Sequence, residues 1–210
     1  MEFENHKEEV PFAHYRERFA AMDAAEAAQR TGIPFENGTF FPTLLGVTYA
    51  ITHPDYTICA EQTDRPALAL TSLPAQTFLL RILLEGKQTP PTAQFQTFRE
   101  LPWGELYIKP FTGRVLTRAA FSLGTRLDAF RAAAQRLGGT PVPHGDAGYE
   151  FPFFDTCRLR LMVWEGDDEF PPNAQLLYSA NFARSFAAED RVVAGDLLLN
   201  ALKQLMQTQK

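Results

Sequence analysis

Two rhythms run through the apolar positions of this chain, one of three and four residues and one of two. The helical rhythm comes first: Phe12, Tyr15, Phe19 and Met22 share one face of a helix opening at Pro11. Asp23 followed by Glu26 forms a capping-box pattern that restarts the helix, and Gly32 stops it. Asn37-Gly38 then predicts a tight hairpin turn. Phe40-Phe41 and Val47 to Thr52 follow as short antiparallel strands that end at His53-Pro54-Asp55. A second helix is expected after Ser72, with Pro74 in its first turn, Phe78, Leu79, Ile82 and Leu83 inward, and Gly86 at its end.

Beyond it, Thr89-Pro90-Pro91-Thr92 reads as a rigid loop, Pro102 to Gly104 as a turn, and Leu106-Tyr107-Ile108 as a strand. Thr125 and Asp128 are expected to cap a third helix carrying Leu127, Phe130, Ala134 and Leu137, closed by Gly138-Gly139. Tyr149 to Phe153 and Leu159 to Trp164 read as long strands, with Leu176 to Tyr178 as a shorter partner. The last helix starts near Glu189-Asp190, where acidic groups favour the positive end of the helix dipole, and turns Val192, Leu199, Leu202 and Met206 inward. Strands arrive in clusters instead of alternating singly with helices. That order predicts an α+β fold, a mixed or mainly antiparallel sheet with about four helices packed on it. No repeat or flexible linker interrupts the pattern, so one globular domain over residues 1–210 is expected, with 1–9 as a loose N-terminal tail.

Composition narrows the partners. At 45% hydrophobic and 21% charged the chain can fill a core, and eighteen Phe make that core phenylalanine-rich. A formal charge of −5, with no basic run longer than two residues, argues against phosphate-driven nucleic-acid binding. The polar, acidic start from Met1 to Glu9 is unlike a signal peptide, and the apolar run from Phe78 to Leu84 is short and broken by Arg81. A cytoplasmic location with no membrane partner is the expectation.

Most reaction motifs fail on spacing. Gly138-Gly139 follows a helix, and Gly145 and Gly148 precede strand signals, so neither nucleotide-binding fingerprint is met. No Gly-x-Ser-x-Gly elbow occurs. Two isolated cysteines make neither a disulfide framework nor a metal set. Cys59 is expected as a small buried thiol at a strand end. Cys157 is expected to be inert, because strand alternation puts Arg158 and Arg160 on the face opposite to it. His6, His14, His53 and His144 are scattered without metal spacing; His6 and His14 are expected to face solvent, and His144 lies in a Pro/Gly-rich loop.

Two clusters remain. After the strand ending at Trp164, Glu165-Gly166-Asp167-Asp168-Glu169 sets four carboxylates in five positions, closed by Phe170-Pro171-Pro172. Such density would suit a hard divalent cation, but the alternate-position order of a calcium loop is missing, and a solvated acidic turn anchored by Trp164 in the core is the reading that spacing favours. In Phe98-Arg99-Glu100-Leu101-Pro102-Trp103-Gly104, Arg99 and Trp103 flank a turn and would suit an anionic planar ligand. Alternatively Trp103 caps the core while Arg99 pairs with Glu100 or the acidic run, as the usual burial of Trp favours.

These segments, together with Arg114 and Leu137-Gly138-Gly139, resemble a bacterial domain-of-unknown-function family common in anaerobes, over about Tyr15 to Leu205. The resemblance implies relatives fused to a small iron–sulphur domain of corrinoid-protein type; two cysteines cannot supply such a cluster here. It implies no catalytic residue and no identified cofactor.

The leading expectation is a non-catalytic ligand- or cofactor-binding accessory domain for a small molecule such as a corrinoid or tetrapyrrole. The candidate binding residues are Arg99, Trp103, Tyr107, Arg114, Glu165, Asp167, Asp168 and Glu169. The alternatives are a metal-assisted hydrolase or transferase using the acidic run with His144 as base, and a protein-interaction module with exposed Phe side chains.

Overall fold

The computed structural model describes residues 9–208. His6 and the expected tail lie outside them, apart from Glu9, which opens the first helix. The chain divides between Gln88 and Thr89 into two compact units.

The first unit runs α1 (Glu9–Ala21), α2 (Ala24–Thr31), β1 (Phe35–Glu36), β2 (Thr39–Phe40), β3 (Thr43–Leu44), β4 (Val47–Thr52), β5 (Ile58–Ala60) and α3 (Leu73–Glu85). Its boundaries follow the local signals. Asp23 accepts the backbone N–H groups of Ala25 and Glu26, and Gly32 closes α2 at φ 71°. Asn37 and Gly38, at φ 50° and 76°, make the tight turn between β1 and β2. Ser72 caps α3 through the Ala75 N–H. β4 is central, antiparallel to β2, β3 and β5, and alternates buried Val47, Tyr49 and Ile51 with half-buried neighbours. Phe19 sits at the middle of an aromatic cluster, its ring edge-on to His53 and Tyr56, while its carbonyl accepts from His53 Nε2 at 3.1 Å.

The second unit carries β6 (Phe95–Thr97), α4 (Gly104–Phe111), α5 (Arg118–Leu123), α6 (Leu127–Arg136), β7 (Thr140–Pro141), β8 (Ala147–Phe154), β9 (Cys157–Trp164), β10 (Asn173–Ser179), α7 (Phe182–Ser185) and α8 (Ala188–Gln207). Strands β7, β8, β9, β10 and β6 pair in that order, all antiparallel. The α+β expectation and its mainly antiparallel sheet therefore stand, with more helices than the four expected. β9 turns Cys157, Leu159 and Leu161 inward and Arg158 and Arg160 outward. There the two guanidiniums grip Glu150 at 2.8 and 2.7 Å, and Arg160 lies 3.8 Å over the Phe95 ring. Burial raises the Glu150 carboxyl, but the hydrogen bonds and charges of the two arginines outweigh it and hold the group below the usual range.

Helix α8 is buried nearly all round: from Asp190 to Leu202 only Val193 and Asn200 are partly exposed. Gly195 lets the Val115 methyls close on the helix axis, since a Cβ there would lie 2.9 Å from them. Tyr178 of β10 is fully buried among Phe98, Phe111 and Phe182, and its hydroxyl donates to the Arg191 carbonyl at 2.7 Å.

Two local expectations fail. Leu106-Tyr107-Ile108 is not a strand; it lies in α4. Strand propensity of Tyr and Ile loses to packing, because the helix delivers Phe111 onto Phe98, stacked at 4.1 Å. Pro110, which has no N–H to give, is the next-to-last residue of α4, and past Phe111 the ladder widens to π-helical turns over Thr112–Thr117 before α5 begins. Thr125 does not cap α6 either: Arg126 occupies the cap and the Thr125 hydroxyl donates to the Phe121 carbonyl.

Tyr178→Phe removes one buried donor and keeps the ring, so urea denaturation is expected to show a loss of about 1 kcal/mol. Tyr178→Ala is expected to lose about 3–5 kcal/mol through the cavity. Equal losses for the two variants would contradict this packing.

Candidate functional site

A turn built around an outward tryptophan is the most unusual surface feature of the second unit. The chain leaves β6 through a 3₁₀ turn, Phe98–Glu100, closed by a capping box in which Glu100 accepts the Thr97 N–H at 2.7 Å and the Thr97 hydroxyl at 2.9 Å. Those hydrogen bonds also hold the Glu100 carboxyl below the usual range. Phe98 and Leu101 are buried, Pro102 is exposed, and Trp103 takes a left-handed conformation at φ 64°. The left-handed region costs a non-glycine residue about 1–2 kcal/mol, so its neighbours must impose it. Gly104 packs so closely that a Cβ would sit 1.9 Å from the Phe98 carbonyl oxygen, and its N–H donates to Leu101 at 2.8 Å. From the other side Arg191 Nη1 donates to the Pro102 carbonyl at 2.6 Å.

The indole that this turn displays is 73% exposed, and Leu106, three residues on, is 72% exposed. Trp103 thus does not cap the core. Arg99 pairs with Glu105 at 3.1 Å, both side chains exposed, not with Glu100 or the acidic run. Tyr107, one helical turn beyond Trp103, is half-buried. Arg114 belongs to a different arrangement: it and Arg118 converge on the Asp196 carboxylate of α8, and Arg118 also donates to Asn200 at 2.8 Å.

The acidic run is a self-contained turn. Asp167 Oδ1 accepts the N–H groups of Glu169 and Phe170 at 2.9 and 2.7 Å, and the Asp167 N–H donates back to the Phe170 carbonyl. The Phe170 and Glu169 N–H groups hold its carboxyl below the usual range. Gly166 is required because a Cβ would meet Pro172 at 2.6 Å. Trp164, at the head of the turn, is half-buried, not a full core anchor. Glu165 donates its N–H to Asp146 at 2.9 Å, and Arg131 donates to the Asp146 carbonyl at 2.8 Å. Glu165 and Asp146 line an open cleft of about 660 Å³ with Thr125, Arg126, Asp128 and Arg131. Arg99, Trp103, Tyr107 and Arg114 do not line it, and neither do Asp167, Asp168 and Glu169. His144 is exposed in the preceding loop. Among the described residues no group of three or more His, Cys, Asp or Glu is placed to hold a metal ion.

The thiols divide against one expectation and with the other. Cys59 is exposed on β5, not buried. Cys157 is buried and donates to Ser185 Oγ at 3.6 Å; burial pushes its thiol up to about 11. It sits beside a polar cluster that the sequence did not reveal. Asn181 donates to Thr156 at 2.9 Å and to Thr89 and Pro90, accepts from Ser179 at 2.6 Å, and so ties down the Thr89–Thr92 loop. Arg191, Asp196 and Asn200 were missed as well. Their signal was present as polar residues inside an otherwise apolar helix pattern.

Two measurements follow from this geometry. A disulfide reagent at pH 8 is expected to label one thiol, Cys59, rapidly in the native protein, and Cys157 only after denaturation; two equally fast thiols would contradict the burial of Cys157. Asp167 in the folded chain titrates below the ordinary aspartate value of about 3.9. Its contribution to the turn is therefore present above that value and lost as pH falls through the folded one. Carboxyl NMR titration is expected to show this, with Asp167→Asn abolishing the accompanying shift of the Phe170 amide. An Asp167 titration at or above the ordinary value would refute the internal bonding.

A family model described as a domain of unknown function, DUF3786, matches residues 23–201. No curated protein matches the chain. No solved structure matches it. The matched span takes in most of both units. The chain belongs to the DUF3786 family of domains of unknown function.

Proposed function

We propose that the protein is a non-catalytic ligand-binding accessory domain that stacks a planar, anionic small molecule on the Trp103 indole and pairs its charge with Arg99. The observation that carries this reading is an indole 73% exposed on a strained left-handed residue. Folding alone favours Gly or Asn at such a backbone position and favours burying a Trp, so both local preferences are set aside at one residue. Stacking of a planar ring on an exposed aromatic is worth about 1–3 kcal/mol, which gives that exposure a use.

The charges beside it suit an anion. The Arg99–Glu105 pair is fully on the surface, where such pairs contribute at most about 1 kcal/mol, so an incoming carboxylate or phosphate displaces Glu105 at little cost. Arg99 then offers the planar fork that matches either group. Leu106 and Tyr107 extend the apolar surface along α4. The acidic turn takes no part in this reading, since Asp167 already accepts two N–H groups of its own turn.

Thermal-shift and fluorescence titrations against corrinoids, tetrapyrroles, flavins and nucleotides test it, with Trp164→Phe isolating the Trp103 signal. At least one class is expected to raise Tm and quench Trp103. Trp103→Ala is expected to weaken binding about tenfold or more, and Arg99→Ala several-fold. No stabilisation by any class, or full affinity in Trp103→Ala, would sink the proposal.

A further inference from the structure

We infer that Arg191 is the positioning residue of the Trp103 turn, acting through the Pro102 carbonyl; this deepens, and rests on, the contact surface proposed above. Arg191 lies in the first turn of α8, is 3% exposed, and is separated from Pro102 by 89 positions. Its guanidinium donates in two directions. Nε and Nη2 both reach the Phe186 carbonyl, at 3.1 and 2.9 Å, while Nη1 reaches Pro102 at 2.6 Å. Its own carbonyl accepts the Tyr178 hydroxyl.

A buried cation is an expensive way to fill core volume, and an apolar side chain of similar size commonly does as well or better. Arg in particular offers a planar fork with donors on two edges, which no apolar residue and no single ammonium reproduces. Here one edge is anchored at the start of α8 and the other holds the peptide plane joining Pro102 to Trp103. On the far side of Trp103, the Gly104 N–H donates to the Leu101 carbonyl at 2.8 Å, and the Phe98 carbonyl leaves no room for a Cβ on Gly104. Both peptide planes that flank Trp103 are thus hydrogen-bonded, which restrains its backbone to the left-handed region while the indole stays 73% exposed. Desolvation lowers the Arg191 pKa from its ordinary value, as burial does for any cation.

The test compares backbone preference at position 103 with Arg191 present and absent. Trp103→Gly and Trp103→Ala both delete the indole and differ in tolerance of the left-handed conformation, while their difference in unfolded-chain entropy is the same with or without Arg191. With Arg191 in place, Trp103→Gly is expected to melt about 2–4 °C above Trp103→Ala. In Arg191→Lys or Arg191→Gln that gap is expected to close or reverse, because the turn is free to relax and Ala then no longer carries the left-handed penalty. In the Trp164→Phe background, either Arg191 variant is also expected to give Trp103 a larger fast component in its fluorescence anisotropy decay, measured well below its Tm. An arginine that merely supports the fold would lower Tm and leave both the gap and the decay unchanged, which would overturn the inference. If neither variant folds, NMR of the unaltered protein decides: slowly exchanging Arg191 side-chain protons coupled to the Pro102 carbonyl support it, and freely exchanging ones overturn it. These readouts need no ligand, so a failure of the ligand-binding proposal and a failure of the Arg191 inference are separately visible.

Discussion

Helix α8 is so deeply buried from Asp190 to Leu202 that the polar groups it carries inside, Arg191 and Asp196 among them, must find partners within the protein, and much of the second unit is arranged around those partners. Arg191 takes the Pro102 and Phe186 carbonyls, and Asp196 takes Arg114 and Arg118. Arg118 in turn reaches Asn200. Water would have satisfied these groups anywhere on the surface. Inside, they specify where the Trp103 turn and the helical stretch after it come to rest.

The π-helical turns over Thr112–Thr117 belong to the same constraint. Pro110 interrupts the hydrogen-bond ladder, and the widened turns bring Arg114 and Arg118, four residues apart, onto one carboxylate while Val115 enters the space left by Gly195. A regular helix through this stretch would rotate those side chains relative to α8. The widening is thus a fitted part of the packing between two helices, in which Arg114 pairs with Asp196 and not with the Arg99–Trp103 turn.

The acidic turn shows a different economy. Its carboxylates sit close in sequence, yet the one with the most defined geometry spends its lone pairs on its own backbone. Glu165 faces a cleft shared with Asp146, Asp128, Arg126 and Arg131, a mixed-charge surface and not an all-acidic one. Trp103, by contrast, is 73% exposed, with hydrogen bonds on the backbone either side of it, which is why the proposed contact surface lies there.

Much of the architecture was legible because its causes are local. Asp23 with Gly32, Ser72, and Asn37-Gly38 act through hydrogen bonds and backbone conformations a few residues long, and the inward and outward alternation of Cys157 to Arg160 follows from the period of a strand. These the sequence determined by itself. The helix at Leu106–Ile108, the outward Trp103, the exposed Cys59 and the half-buried Trp164 were decided only by tertiary structure. Their determinants lie far along the chain or in the packing around them: Phe111 settles on Phe98 and Tyr178, and Pro102 is held by a guanidinium 89 residues away. A propensity reports what a residue prefers among its immediate neighbours, whereas burial and partner choice depend on which distant groups the fold brings alongside it.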